Sequence, residues 1–205
     1  MTTSKGERTR STILDAAVAL ACVQGFEALS IGSLADRVGM SKSGLFGHFG
    51  SREELQIAAI EAAAERFAVL VYRPALEAPR GLARLNALID NWLTWVERCG
   101  WDGGCPLEGA IHEFDDRPGP VKAAVVRHFT RLERELARTI RLCVDTGEFD
   151  RDLDVDLFVF RLMGVVMAFH YRRRLMGGTR AEAVTRGAFA LLIKESAPGR
   201  VQRDQ

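Results

Sequence analysis

Apolar residues recur three and four positions apart along nearly the whole chain, and no stretch alternates apolar and polar residues for long enough to make a strand. The pattern predicts helices throughout. The first runs from about Arg8 to Gln24, with Ile13, Ala17, Leu20 and Ala21 along one face, and Gly25 supplies the left-handed residue that stops it. A short helix follows over Ser30 to Val38, capped by Ser30 and burying Leu34, Ala35 and Val38. Gly39 then breaks the chain, and Ser41 can cap a further helix of one to two turns that carries Leu45, Phe46 and Phe49. A helix this short is not stable alone, so Leu45 and Phe49 must pack on the helices before it. Gly50 ends it. Ser51 and Glu54 fit the capping box S-x-x-E, which opens a long helix through Ile57, Ile60, Ala64, Phe67 and Val71 to Pro74.

Beyond Pro79 the pattern predicts a helix from Leu82 to Arg98 with Leu85, Leu88, Ile89, Trp92 and Trp95 or Val96 inward. The loop CGWDGGCP, Cys99 to Pro106, interrupts it, and a short helix holds Ile111 and Phe114. Pro118 and Pro120 stand where the next helix begins, and it runs to about Asp145 and stops at Gly147. Two final helices span Asp154 to about Leu175 and Thr179 to Ser196, the second opened by a capping box of Thr179 and Glu182. The sum is an all-α chain of about nine helices. A first domain, residues 1–51, is expected to hold the short helices, and a second, residues 52–205, the long ones.

Composition narrows the class. Apolar residues are 47% and charged residues 27% of 205, ordinary globular values that exclude a disordered chain or a coiled-coil rod. The longest uncharged stretch, Ala16 to Phe26, is about half of what a membrane span requires, and no apolar segment follows the basic start, so a cytoplasmic protein with no membrane partner is expected. Cys22, Cys99, Cys105 and Cys143 form no C-x-x-C pair, which gives neither a zinc site nor a disulfide framework; no metal or cofactor is expected. No G-x-S-x-G, H-E-x-x-H or P-loop motif occurs, and four scattered histidines offer no triad, so an enzyme is disfavoured. The net charge of +1 hides an uneven spread. Residues 1–52 carry Lys5, Arg8, Arg10, Arg37, Lys42 and Arg52 against Glu7, Asp15, Glu27 and Asp36, a basic end facing a slightly acidic remainder.

The chemistry concentrates in FEALSIGSLADRVGMSKSGLFGHFGSREEL, Phe26 to Leu55. Two short helices joined by a glycine turn can lay the second in a DNA major groove while the first crosses the backbone. With Leu45 and Phe49 turned inward at i and i+4, Lys42, Ser43, Gly44, Phe46, Gly47 and His48 face outward, and the helix start at Ser41 presents free N–H groups to phosphate. Arg37 reads as a solvated charge. The Arg172, Arg173, Arg174 cluster ends an apolar helix and complements its dipole.

The first helix ending in G-F, then S-I-x-x-L-A-x-x-V-G-M-S-K-x-x-L-F-x-H-F and S-R-E-E-L, resembles the TetR family of bacterial transcriptional repressors over about 50 residues. The resemblance implies that Ser30 caps the second helix and touches phosphate, that Lys42, Ser43 and Gly44 open the reading face behind the DNA-facing helix start at Ser41, that Phe46 and His48 reach backbone and bases, and that Arg52 clamps a phosphate. Phe46 stands where most relatives have tyrosine, which removes a hydroxyl bond to phosphate and leaves apolar contact such as a thymine methyl. Gly32 and Gly47 replace positions that are often larger, so direct base readout is expected to be sparse.

One recognition helix gives little specificity, and two placed about 34 Å apart require a homodimer on a palindromic operator in double-stranded DNA. The last helix pair is the expected interface: Phe158, Leu162 and Val166 on the first, Val184, Ala188 and Leu191 on the second, because a helix apolar nearly all round must be covered on both sides. The resemblance also implies a small-molecule effector enclosed by the middle helices. Trp92, Trp95, Trp101, His112, Phe114, Phe129 and His170 are candidate lining residues for a largely apolar ligand, and Glu113 is a further polar candidate. A DNA-free adaptor or ligand carrier on the same fold is the alternative reading.

Overall fold

The computed structural model describes residues 5–199, all of whose regular structure is helical. Among the described residues the chain forms nine helices of eight residues or more: α1 (Lys5–Gln24), α2 (Ile31–Val38), α3 (Lys42–Phe49), α4 (Arg52–Phe67), α5 (Leu82–Arg98), α6 (Pro106–Phe114), α7 (Pro120–Asp145), α8 (Val155–His170) and α9 (Ala181–Glu195). They divide into two compact units: of the described residues, 5–67 with 99–129, and 68–98 with 130–199. The first unit thus takes in α4 and α6 along with the short helices that sequence assigns to residues 1–51.

Within the first unit, α1 packs on α2, α4 and α6, and α3 packs on α2 and α4. Ile13, Ala17 and Ala21 of α1 are buried as the spacing requires, with Leu34 and Ala35 of α2 and Leu45 and Phe49 of α3. Polar caps set the boundaries of the short helices. The Ser30 hydroxyl accepts the Ser33 N–H at 3.1 Å, and the Ser41 hydroxyl accepts the Gly44 N–H at 3.1 Å, each satisfying a donor that the first turn leaves open. Gly39, with φ +68°, is the left-handed residue that turns α2 toward α3. The Ser51 hydroxyl caps α4 by accepting the Glu54 N–H at 3.0 Å.

In the second unit α8 packs on α9, and Phe158 stacks against Phe149 with ring centroids 5.3 Å apart. Two departures from the expected helices lie here. After Phe67 the helical path widens into a π turn, Ala68–Tyr72, before Pro74. Proline has no N–H, so the Leu70 carbonyl four residues earlier loses its usual donor, and the Arg98 guanidinium supplies one at 3.0 Å. Asn91 Nδ2 donates to the neighbouring Val71 carbonyl at 3.1 Å. At the other departure, the capping box expected of Thr179 and Glu182 does not form. The helix starts at Ala181, its N-cap Arg180 makes no side-chain cap bond, and Glu182 instead accepts from Arg186 one turn on at 2.9 Å. A second π turn, Tyr171–Leu175, carries the arginine cluster, of which Arg173 pairs with Glu97. No helix among the described residues is long and apolar enough to cross a membrane.

Candidate nucleic-acid interface

The α3 helix is held from beneath and open above. Leu45 is fully buried and Phe49 nearly so, whereas Ser41, Lys42, Ser43 and Gly47 are exposed and Phe46 leaves 55% of its surface in water. Gly44 and His48 are half-buried at the edges of that face. An exposed phenylalanine beside lysine and two serines offers both apolar contact and hydrogen bonds, the combination that base edges and phosphates take. No acidic residue occupies the first turn of α3, so its N-terminal N–H groups and Lys42 present one sign of charge. The Lys42 stem lies across Gly32 of α2, its Cε 3.5 Å from where a Cβ would stand, and this links the two helices at their exposed edge. Ser30 sits at the start of α2 with its hydroxyl engaged by Ser33, both through the N–H and through a 2.9 Å contact of the two hydroxyls.

Two arginines brace the motif in ways that its spacing does not announce. Arg10 of α1 donates to the His48 carbonyl at 3.3 Å and lays its guanidinium over the Phe49 ring at 4.6 Å, so it closes the C-terminal end of α3. Arg52, expected to clamp a phosphate, has most of its donors turned inward: Nε gives to the Leu29 carbonyl at 2.8 Å, and one terminal nitrogen to the Glu27 carbonyl and carboxylate, the latter at 3.0 Å. Arg52 therefore fastens the turn ahead of α2. Arg52→Ala should lower stability by about 1–2 kcal/mol, the worth of charge-assisted bonds to backbone, read as a lower urea midpoint with an unchanged m-value. An unshifted midpoint would show that the arginine does no such fastening.

The residues named for ligand and dimer contacts fall at several places. In the first unit Trp101 is half-buried with the Arg66 guanidinium 5.3 Å from its ring, Phe114 is buried, Phe129 is half-buried against His128, and His112 is exposed on α6. In the second, Trp92 and Trp95 are buried on α5 and His170 at the end of α8, where burial pushes the imidazole down to about 4 and keeps it neutral. Burial likewise pushes the Glu108 carboxyl on α6 up to about 7. Phe158, Leu162 and Val166 are closed off in the chain's own interior, and Ala188 is half-buried, so of the six interface candidates Val184 and Leu191 remain exposed. They are joined on the outer side of α8 by Leu157 and by Phe160, 77% exposed. Between α8 and α9 runs an open groove of about 360 Å³, lined by Gly164, Val165, Ala168, Val184, Thr185 and Ala188 and flanked by Arg161 and Arg172.

Residues 13–59 match the family described as bacterial regulatory proteins, tetR family, and residues 81–189 match the tetracyclin repressor-like C-terminal domain. The HTH-type transcriptional regulator TcmR of Streptomyces glaucescens is 30% identical over 171 residues, which cover 80% of this chain and 73% of that protein. Among solved structures, a TetR transcriptional regulator from Chloroflexus aurantiacus J-10-FL superposes with a TM-score of 0.77 at 24% identity, covering 93% of this chain and 95% of its own. AibR, solved in complex with isovaleryl coenzyme A and operator DNA, gives 0.70 at 23% identity over 90% and 98%.

Proposed function

The chain belongs to the tetR family of bacterial regulatory proteins and is a DNA-binding transcriptional regulator, and on that premise we propose that it is a cytoplasmic repressor whose α3 reads a palindromic operator. The observation that carries this reading is the division of α3 itself: Leu45 and Phe49 anchor it, Lys42, Ser43, Phe46 and Gly47 face water, and Gly44 and His48 lie half-buried at the edges. Lys42 and the N–H groups at Ser41–Ser43 hold phosphate, Phe46 packs on thymine methyls or sugar, and His48 reaches the backbone from the far end. Ser30 meets phosphate at the start of α2, and Gly44 and Gly47 let the helix backbone come close to the bases.

Two copies pair through the outer sides of α8 and α9. Leu157, Phe160, Val184 and Leu191 form an apolar surface that a two-fold axis brings against itself, and Gly164 and Ala168 open the groove for a partner's side chain. Pairing sets the two α3 helices about one DNA turn, roughly 34 Å, apart.

The effector is a small, largely apolar molecule. Trp92, Trp95 and His170 of the second unit offer it apolar surface and a neutral hydrogen-bonding group. That AibR was solved with an acyl-CoA and operator DNA supports the idea that this architecture accommodates both kinds of partner. A ligand releases the operator only by binding the DNA-incompetent state better, a coupling of about 1–3 kcal/mol in known cases.

Selection of bound duplexes from random DNA tests the reading. The expected product is an inverted repeat with half-sites centred about one turn apart. Recovery of no repeat, or of half-sites offset by half a turn, would overturn it. Band-shift titration of that duplex with acyl-CoAs and other apolar small molecules then tests release, and insensitivity to every compound that binds the protein would reject the ligand-responsive part.

A further inference from the structure

Glu113 stands on the last turn of α6 and reaches backbone groups 87 and 86 positions away in sequence. One carboxylate oxygen accepts the Phe26 N–H at 3.1 Å and the other the Glu27 N–H at 2.7 Å. These two donors belong to the turn that leaves α1 and ends at Ser30, the cap of α2. The fit is close. Gly25 has φ +84°, and a Cβ added there would lie 2.7 Å from the same carboxylate oxygen that Phe26 engages, so both backbone conformation and contact demand glycine at this corner.

The carbonyl side of the turn is held as firmly. The buried Gln56 amide of α4 donates to the Phe26 carbonyl at 2.9 Å, and Arg52 takes the Leu29 carbonyl. The Glu27 carboxylate pairs with Arg52 at 3.0 Å and with Arg117, just past α6, at 2.9 Å. Donors and acceptors of the segment that aims α2 are thus shared between α4 on one side and α6 with its following residues on the other. Of these contacts, the Glu113 carboxylate alone grips two successive N–H groups, and charge-assisted bonds of this kind are the strong ones.

We propose that Glu113 is a positioning residue for operator binding: by clamping the Phe26 and Glu27 N–H groups it fixes the direction in which α2, and with it α3, leaves α1. The state of α6 is then felt at the recognition helix through a bond that does not run along α4. The inference rests on the reading that α3 contacts DNA.

The test uses the full chain and the duplex recovered by selection, at one fixed salt concentration. Glu113→Ala should weaken operator affinity by about tenfold or more, with the Phe26 and Glu27 amides exchanging faster with solvent. Glu113→Gln keeps one acceptor oxygen but no charge, and an intermediate loss is expected. A purely structural side chain would instead lower the melting temperature and leave the affinity of the folded protein unchanged, which would overturn the proposal. Should the alanine variant fail to fold, the near-isosteric glutamine variant decides by the same two readings. Lys42→Glu serves as control. If it abolishes binding while both Glu113 variants bind like the parent, the clamp alone is refuted; if it too binds like the parent, the reading of α3 falls and the clamp with it.

Discussion

Lys42→Glu should weaken operator binding by about 100-fold or more while the melting temperature stays level or rises slightly. The two effects have opposite signs for a physical reason. Lys42 is exposed at the first position of α3, where a cation meets the positive end of the helix dipole and an anion would be favoured by about 0.3–1 kcal/mol. Nothing in the core depends on it. Against DNA the balance reverses: each copy loses a phosphate contact and gains a repulsion, and a dimer does so twice. The slope of log affinity against log salt should therefore fall by about two. Band shifts or fluorescence anisotropy across a salt series, beside a thermal melt, measure both. Parent affinity with an unchanged slope would remove α3 from the interface and favour a DNA-free adaptor.

Phe160→Glu should split the proposed dimer, raising its dissociation constant by about a thousandfold and costing about as much in operator affinity as the loss of one half-site. Phe160 and Phe158 are two positions apart on α8, and a helix turns such neighbours to opposite sides. Phe158 is inside against Phe149, whereas Phe160 stands 77% exposed beside Leu157. In the separate chain the glutamate simply enters water, so the monomer should still fold, melting below the parent only by the stabilisation that pairing supplies. In the pair it would place two like charges on an apolar, symmetric surface, where desolvation and repulsion add. Sedimentation equilibrium gives the assembly state directly. A dimer persisting at the parent's concentration would place the contact elsewhere on the chain.

Local signals in the sequence decide the structure wherever the controlling residue sits inside its own element. Gly25, Gly39 and Gly50 end helices with φ between +68° and +84°, and Ser30, Ser41 and Ser51 cap the helices that follow them. Thr179 had the same local signature and failed, because the chain there is shaped by the preceding π turn: the Gly178 N–H is drawn to the Arg172 carbonyl at 2.9 Å. Facing was harder. A helix apolar nearly all round gives no sequence criterion for which stripe meets its own domain: Phe158, Leu162 and Val166, candidates for the partner-facing side, are buried, and Phe160 is the exposed one. Long-range polar work was invisible. Arg10 on the end of α3, Arg52 on the α1–α2 turn and Glu113 on two distant N–H groups are all charged residues that pattern alone assigns to solvent or to ligand.

The π turn before Pro74 bears on the order of folding. An ordinary helix closes each backbone bond with a donor four residues on and can grow by itself. Here the Leu70 carbonyl is completed by Arg98, 28 positions away, and the Val71 carbonyl by Asn91. Those bonds cannot form until the intervening loop has brought α5 back alongside, so this stretch inherits the slower clock of loop closure rather than the nanosecond steps of helix elongation.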